Sequence, residues 1–321
     1  MKFKIFLNAV VLLSLCVCFS FFFSACVKTN LPPITPTSSS TISGLIAGSS
    51  NLTVLDSILK RTQLDTVFSG TKAYTFFSAT DAAFATVGFS STVLYNLPDS
   101  QLRKLILYSA IPQALYAAQF PAGPDAKMIT ASGDSIFVTN TGSQIFINGI
   151  QVVSYDIVAS NGIMDAVATP LIPPSGNMLQ TIQPDTAFSF FIAAANKTTT
   201  TGVNVDSILT GNNIHTLFLP INDAFRAAGY STIDNINNAN PDSLSRILQY
   251  NILPGRLFTS DFTNNQTEAT VLTGSNVTIG FIGTTSYGVL GNKNSGPSVI
   301  ISSNIMATNG VIHVIQQSLL P

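Results

Sequence analysis

Residues able to do acid, base, nucleophilic or metal chemistry are few and scattered in this chain of 321 residues. It has two histidines, His215 and His313, one glutamate, Glu268, and no tryptophan. Catalytic proton transfer needs titratable groups held within hydrogen-bond reach of one another, and no spacing here supplies such a pair. His313 alternates with Val311 and Ile315, so period-two geometry puts all three on one face of a strand and predicts a structural histidine. His215 opens another strand-like run and reads the same way. The aspartates stand singly rather than in calcium-loop order, no His/Cys spacing suits a metal, and no glycine-rich phosphate loop is present. These residues predict no enzyme, no metal and no cofactor. Charged residues make up 9% of the chain and form no basic run, which argues against a nucleic-acid partner.

The thiols are different. Lys2 and Lys4 precede an apolar run over residues 5–23, followed by Ser24, Ala25 and Cys26. A basic start, an apolar stretch and small residues are the parts of an export signal. A cysteine directly after them resembles the lipobox of bacterial lipoproteins, in which the thiol is acylated and opens the mature chain; Phe23 stands where leucine is usual. A single transmembrane anchor competes with this reading, because the run is long enough to cross ~30 Å of hydrocarbon. The resemblance implies a signal over 1–25 and a lipid anchor at Cys26 in the outer membrane, on either its surface or its periplasmic face. Residues 26–40 are rich in Pro, Ser and Thr and suit a tether. Cys16 and Cys18 lie inside the signal, so the remaining chain has no disulfide and must rely on its core. Loss of Lys2 and Lys4 leaves 12 basic against 15 acidic residues.

The chain repeats itself: residues 64–84 align without gaps on 205–225, 99–120 on 241–262, and 156–167 on 304–315. The order is kept, so the chain is a duplication, with units expected at 41–174 and 175–321 joined at Pro173-Pro174-Ser175-Gly176. Each unit begins with an amphipathic helix: Leu52, Leu55 and Leu59 fall at helical spacing, as do Phe188, Phe191, Ile192 and Ala195. Strands are expected at 74–78 and 216–219. Each passes into a polar turn where Asp81, or Asn222 with Asp223, is placed to cap the short helix that follows. Another helix starts after Pro98-Asp99 and Pro241-Asp242. Alternating strand material completes each unit at 135–139, 144–153, 277–281, 299–303 and 311–315. Helices first and strands last predict an α+β fold with an antiparallel sheet system.

Three landmarks recur in both copies and resemble those of the fasciclin domain. They are TFFSATDAAF (75–84) with TLFLPINDAF (216–225), YSAIPQ (108–113) with YNILPG (250–255), and ASNGIMDAVA (159–168) with ATNGVIHVIQ (307–316). The resemblance implies two tandem fasciclin-like domains, each a wedge of two β-sheets packed with several helices. It also implies a non-catalytic role in adhesion or in protein or glycan interaction. Some animal relatives use a Tyr-His motif and an Asp-Ile pair for integrin adhesion. The matching positions here, Tyr108, Tyr250, Asp156, Ile157, Asn304 and Ile305, are the candidate interaction residues. Ser109 and Asn251 replace the histidines, so integrin recognition is not expected. His313, Asp81 and Asp223 are expected to be structural.

The expected partners are the membrane through the lipid, and a surface polymer, matrix component or envelope protein. The alternative is a glycan- or solute-binding accessory of an outer-membrane uptake system. That role calls for an aromatic platform built from Tyr95, Tyr116, Tyr155, Tyr230 or Tyr287. Six Asp-Ser/Thr-apolar tripeptides, such as Asp56-Ser57-Ile58 and Asp206-Ser207-Ile208, resemble an O-glycosylation acceptor of Bacteroidetes-type bacteria. Helix-cap and turn chemistry explains the same tripeptides equally well.

Overall fold

The computed structural model describes residues 39–283 and 286–321. The apolar run at 5–23, Cys26 and most of the proposed tether lie outside them. Among the described residues no helix is long and apolar enough to cross a membrane.

Each repeat lays down a helical block and then a sheet. In the first, the helix Thr53–Arg61 buries Leu55, Ile58 and Leu59 on one side, which is the stripe that three-and-four spacing demands. The matching helix Ser189–Lys197 buries Phe190, Phe191, Ala194 and Ala195. Each is preceded by a short helix that periodicity does not predict, Ile42–Ala47 and Met178–Ile182. With five or six residues these are too short to show a period, and side-chain caps from Thr41 and Asn177 hold them. The helices Asp99–Tyr108 and Pro241–Tyr250 start where the prolines indicate.

The strands of the first repeat are β1 (Tyr74–Ser78), β2 (Ala110–Ile111), β3 (Gly123–Ile129), β4 (Ser135–Asn140), β5 (Ile145–Ile147), β6 (Ile150–Ala159) and β7 (Gly162–Val167). Their order is β2-β1-β7-β6-β5-β4-β3. The second repeat has β8 (His215–Pro220), β9 (Ile252–Pro254), β10 (Gln266–Ala269), β11 (Asn276–Ile282), β12 (Ser286–Leu290), β13 (Ser298–Ala307) and β14 (Gly310–Ile315), in the equivalent order. Pairing is antiparallel except for β1 with β7 and β8 with β14, which run parallel. The parallel pair arises because the first strand is inserted beside the last one after the whole domain has been traversed. β6 and β13 are long and bent, each with two register shifts against its partner. Bulges bend a strand and increase its twist, so each long strand leaves one sheet and enters the other. The two sheets of the wedge are therefore halves of one continuous seven-stranded sheet. The run at 144–153 is not one strand but the hairpin β5–β6, turned at Asn148 (φ 51°) and Gly149 (φ 75°), the positive pair that a type I′ turn requires.

The recurring landmarks are pins in this architecture. Thr75 Oγ1 donates to the Gln113 carbonyl and accepts from Leu115 N, and Thr216 does the same with Gly255 and Leu257. The buried Asn161 amide accepts from Ile42 N and donates to the Phe68 and Gly70 carbonyls. Asn309 repeats this with Met178, Leu209 and Gly211. Beside them a Cβ on Gly162 would lie 2.0 Å from the Tyr74 carbonyl oxygen, and one on Gly310 would lie 1.9 Å from that of His215. Only glycine allows those strands to approach.

Candidate functional site

Both landmark tyrosines are buried rather than displayed. Tyr108 Oη donates to the Ser135 carbonyl at 3.1 Å and accepts from Asn148 Nδ2 at 2.9 Å. Tyr250 Oη donates to the Asn276 carbonyl at 2.6 Å and accepts from Asn292 N at 2.8 Å. Each ties the end of a helix to the sheet, and burial pushes both phenols up.

Asp156 and Asn304 occupy the bulges of β6 and β13 in the left-handed region, at φ 58° and 60°, where Asp and Asn are tolerated better than most residues. Their side chains accept from Ala117 N at 2.7 Å and Thr259 N at 3.0 Å, closing the 3-10 turns Ala117–Gln119 and Thr259–Asp261. Their own amides point inward at one fold position that differs between the repeats. Asp156 N donates to Asp165 Oδ1 at 2.8 Å, and Asn304 N lies 3.4 Å from His313 Nδ1. Nε2 of His313 sits 2.9 Å from the Leu257 carbonyl. That pattern assigns the neutral tautomer with the proton on Nε2. Burial between Phe218 and Phe262 lowers its pKa to about 4. Asp165 goes the opposite way. Burial, against the Asp156 amide, raises it to about 7, and its Oδ2 has no partner. Ile157 and Ile305 are half-buried against the cores of their own domains.

Asn304 does more than its counterpart, because the first domain docks on it. Its Nδ2 donates to the Gly149 carbonyl at 3.2 Å and to Thr259 Oγ1 at 2.7 Å. The β5–β6 hairpin tip thus rests on the bulge of β13. Alongside, the Phe137 ring packs 6.2 Å from that of Phe258, the Arg256 guanidinium lies 3.8 Å over Phe137, and Thr139 Oγ1 donates to Asp261 Oδ1 at 3.2 Å. Burial raises both Asp261 and Asp125, the latter to about 6, with the Asp261 charge adding to the Asp125 shift. A cleft of about 640 Å³ with mixed polar and apolar walls flanks this clasp, lined by Gln151, Ile172, Ser303, Asn304 and Ile305 among others. Of the six candidate interaction residues, the structure brings only Asn304 and Ile305 to this junction. Phe137, Arg256 and Thr139 were not candidates. The signal that could have found two of them is disagreement between the repeats: Ala114 stands at the position of Arg256, and Thr278 at that of Phe137.

The two expected caps are corrected. Asp81 does not cap its own helix, Asp81–Thr86, which Thr80 caps. Asp81 accepts instead from Thr53 N, Thr53 Oγ1 and Val54 N, closing the start of the long helix. Its counterpart is Asn222, which accepts from Phe190 N. Asp223 only pairs with Arg226 on the surface. Cys26 lies outside the described residues. The candidate tyrosines do not assemble: among the described residues no two of Tyr95, Tyr116, Tyr155, Tyr230 and Tyr287 form a ring pair, and Tyr95 stands alone over Arg61. Of the six Asp-Ser/Thr tripeptides, all but Asp134-Ser135-Ile136 sit in or at the start of helices or 3-10 turns.

A model of the fasciclin domain matches residues 50–173 and 186–321. The chain belongs to the fasciclin family and carries two fasciclin domains in tandem. It is 31% identical over 137 residues to protein sll1483 of Synechocystis, covering 40% of this chain and 71% of that one. It is 26% identical over 175 residues to transforming growth factor-beta-induced protein ig-h3 of Sus scrofa, covering 54% of this chain and 24% of that protein. A solved structure of a FAS1 domain pair from the insect cell adhesion molecule Fasciclin I superposes with a TM-score of 0.41 at 16% identity, over 87% of this chain and 96% of that one.

Proposed function

We propose that this chain is a non-catalytic cell-envelope lipoprotein, anchored through Cys26 in the outer membrane. Its two fasciclin domains act as one adhesion or interaction unit toward a surface polymer, matrix component or envelope protein. Fasciclin domains are modules of adhesion and interaction, and the observation that carries the reading is the clasp between Gly149, Phe137, Asn304 and Arg256. Two domains held in fixed register present one surface to a partner, which lowers the ordering cost of binding relative to domains that swing freely. The family landmarks are spent on internal pins, so contact with a partner falls to surfaces where the repeats differ. The export signal and the Pro/Ser/Thr-rich tether support display at a membrane.

The test is protease accessibility on intact cells, with antibody detection of the chain and a periplasmic protein as control. Loss of the chain while the control survives is the expected result. Survival until the outer membrane is permeabilised would point to a periplasmic scaffold and remove surface adhesion as its role.

A further inference from the structure

Behind the clasp lies a second cavity of about 420 Å³, with Lys127, Asp134, Ser135, Phe137, Arg256 and Thr308 in its lining. Lys127 faces Phe137 directly across the β3–β4 pair, and Arg256 stacks on the same ring. Two cations thus line one cavity. Among the described residues neither takes part in an ion pair, and the Arg256 Nε is buried with no hydrogen-bond partner. The negative charge of Asp125 acts on Arg256 from beyond ion-pair distance. A guanidinium fixed in plane by an aromatic face is preorganised for a flat, bidentate anion such as a carboxylate.

The remaining lining narrows the ligand. Asp134 is already neutralised, with Oδ2 3.3 Å from Lys104 Nζ and accepting from Ser132 Oγ at 3.1 Å. A hydroxyl can donate to this carboxylate without displacing Lys104, whereas an ammonium would have to share it. The Ser135 and Thr308 hydroxyls add further partners for neutral polar groups. The cavity falls within the ~300–1,000 Å³ of small-ligand pockets, enough for one sugar unit.

We propose that this cavity binds a uronic-acid sugar, its carboxylate on Arg256 and Lys127 and its hydroxyls toward Asp134, Ser135 and Thr308. The inference rests on the interaction-module reading and names the chemistry of its polymer as an acidic polysaccharide.

The test is isothermal titration calorimetry of the full chain in detergent with methyl glucuronide, with methyl glucoside as the neutral analogue and glutamate as the competing carboxylate. Saturable heat for the glucuronide alone is expected. Arg256→Gln should weaken it roughly tenfold or more, the scale of a lost hydrogen bond to a charged group, and Lys127→Gln by about threefold. Arg256→Lys should recover only part of the loss. Lys127 is exposed, so its variant tests the site even where the Arg256 variant disturbs the clasp. Absence of saturable binding in a chain with an unchanged melting curve would overturn the site, as would equal binding by Lys127→Gln and wild type. Glutamate binding as tight as the glucuronide would overturn the sugar assignment. Surface exposure in intact cells without uronate binding would leave the adhesion reading standing and sink this one alone.

Discussion

The two repeats place opposite chemistries at one buried position. In the first, Asp165 accepts from the Asp156 amide; in the second, His313 receives the Asn304 amide and donates onward to Leu257. The fold needs an acceptor there to hold the bulge of the long strand, and either a carboxyl or an imidazole supplies one. What differs is the response to pH, together with the use of the bulge itself, which is half-exposed in the first domain and forms the seat of the clasp in the second. The duplication has kept its internal pins and diverged where the copies meet each other.

The largest expected effects are common to both copies. Gly162→Ala and Gly310→Ala would each drive a Cβ into a backbone oxygen at about 2 Å, and should destabilise their own domain by about 4 kcal/mol or more. Domain-resolved denaturation should show one transition lost and the other kept. Loss of both would mean that the copies do not fold as separable units.

The pH responses should then split the copies. Asp165 has its folded pKa raised from 3.8 to about 7. Its contribution is full below pH 3.8 and lost as pH rises through 7, about 4 kcal/mol in all. His313 has its folded pKa lowered from 6.5 to about 4. Its contribution is full above pH 6.5 and lost as pH falls toward 4, about 3 kcal/mol. Between pH 4 and 6.5 acidification should therefore strengthen the first domain through Asp165, with Asp125 adding to it, and weaken the second through His313, with Asp261 opposing it; calorimetry on Asp165→Asn should reduce the first slope to the part due to Asp125 and leave the second unchanged. Parallel slopes in both domains would mean that Asp165 and His313 do not respond in opposite directions.

Asp81→Ala removes the acceptor that closes the long helix and should cost about 1 kcal/mol, whereas Asp223→Ala, losing an exposed ion pair, should stay within about 0.5 kcal/mol. Equal losses in urea titrations would return the capping role to Asp223.

The duplication, the long helices and most strand positions were legible because each rests on a period or on a proline. The strands β3, β10 and β12 were not, since Gly123, Pro124 and Asp125, Glu268, and Gly288 break any alternation. The residues of the motif itself misled in one respect. Asp156 and Tyr108 look like contact residues by type, but a left-handed bulge and a buried hydroxyl are properties of backbone geometry that residue type does not display. The caps were shifted for a similar reason, because Asp81 serves a helix 27 residues upstream. The clasp had no periodic signature at all, as it joins residues of different repeats.

Hydrogen exchange across the clasp reports most directly on whether the two domains dock. A Cβ on Gly149 would lie 2.6 Å from the Asn304 side chain, so Gly149→Ala in the first domain should speed exchange at Thr259, whose amide the Asn304 carboxamide holds in the second. Amides in the helix Pro241–Tyr250 should be unchanged. Faster exchange confined to the β5–β6 hairpin, with Thr259 as protected as in the wild type, would contradict a docked pair and leave two independent domains.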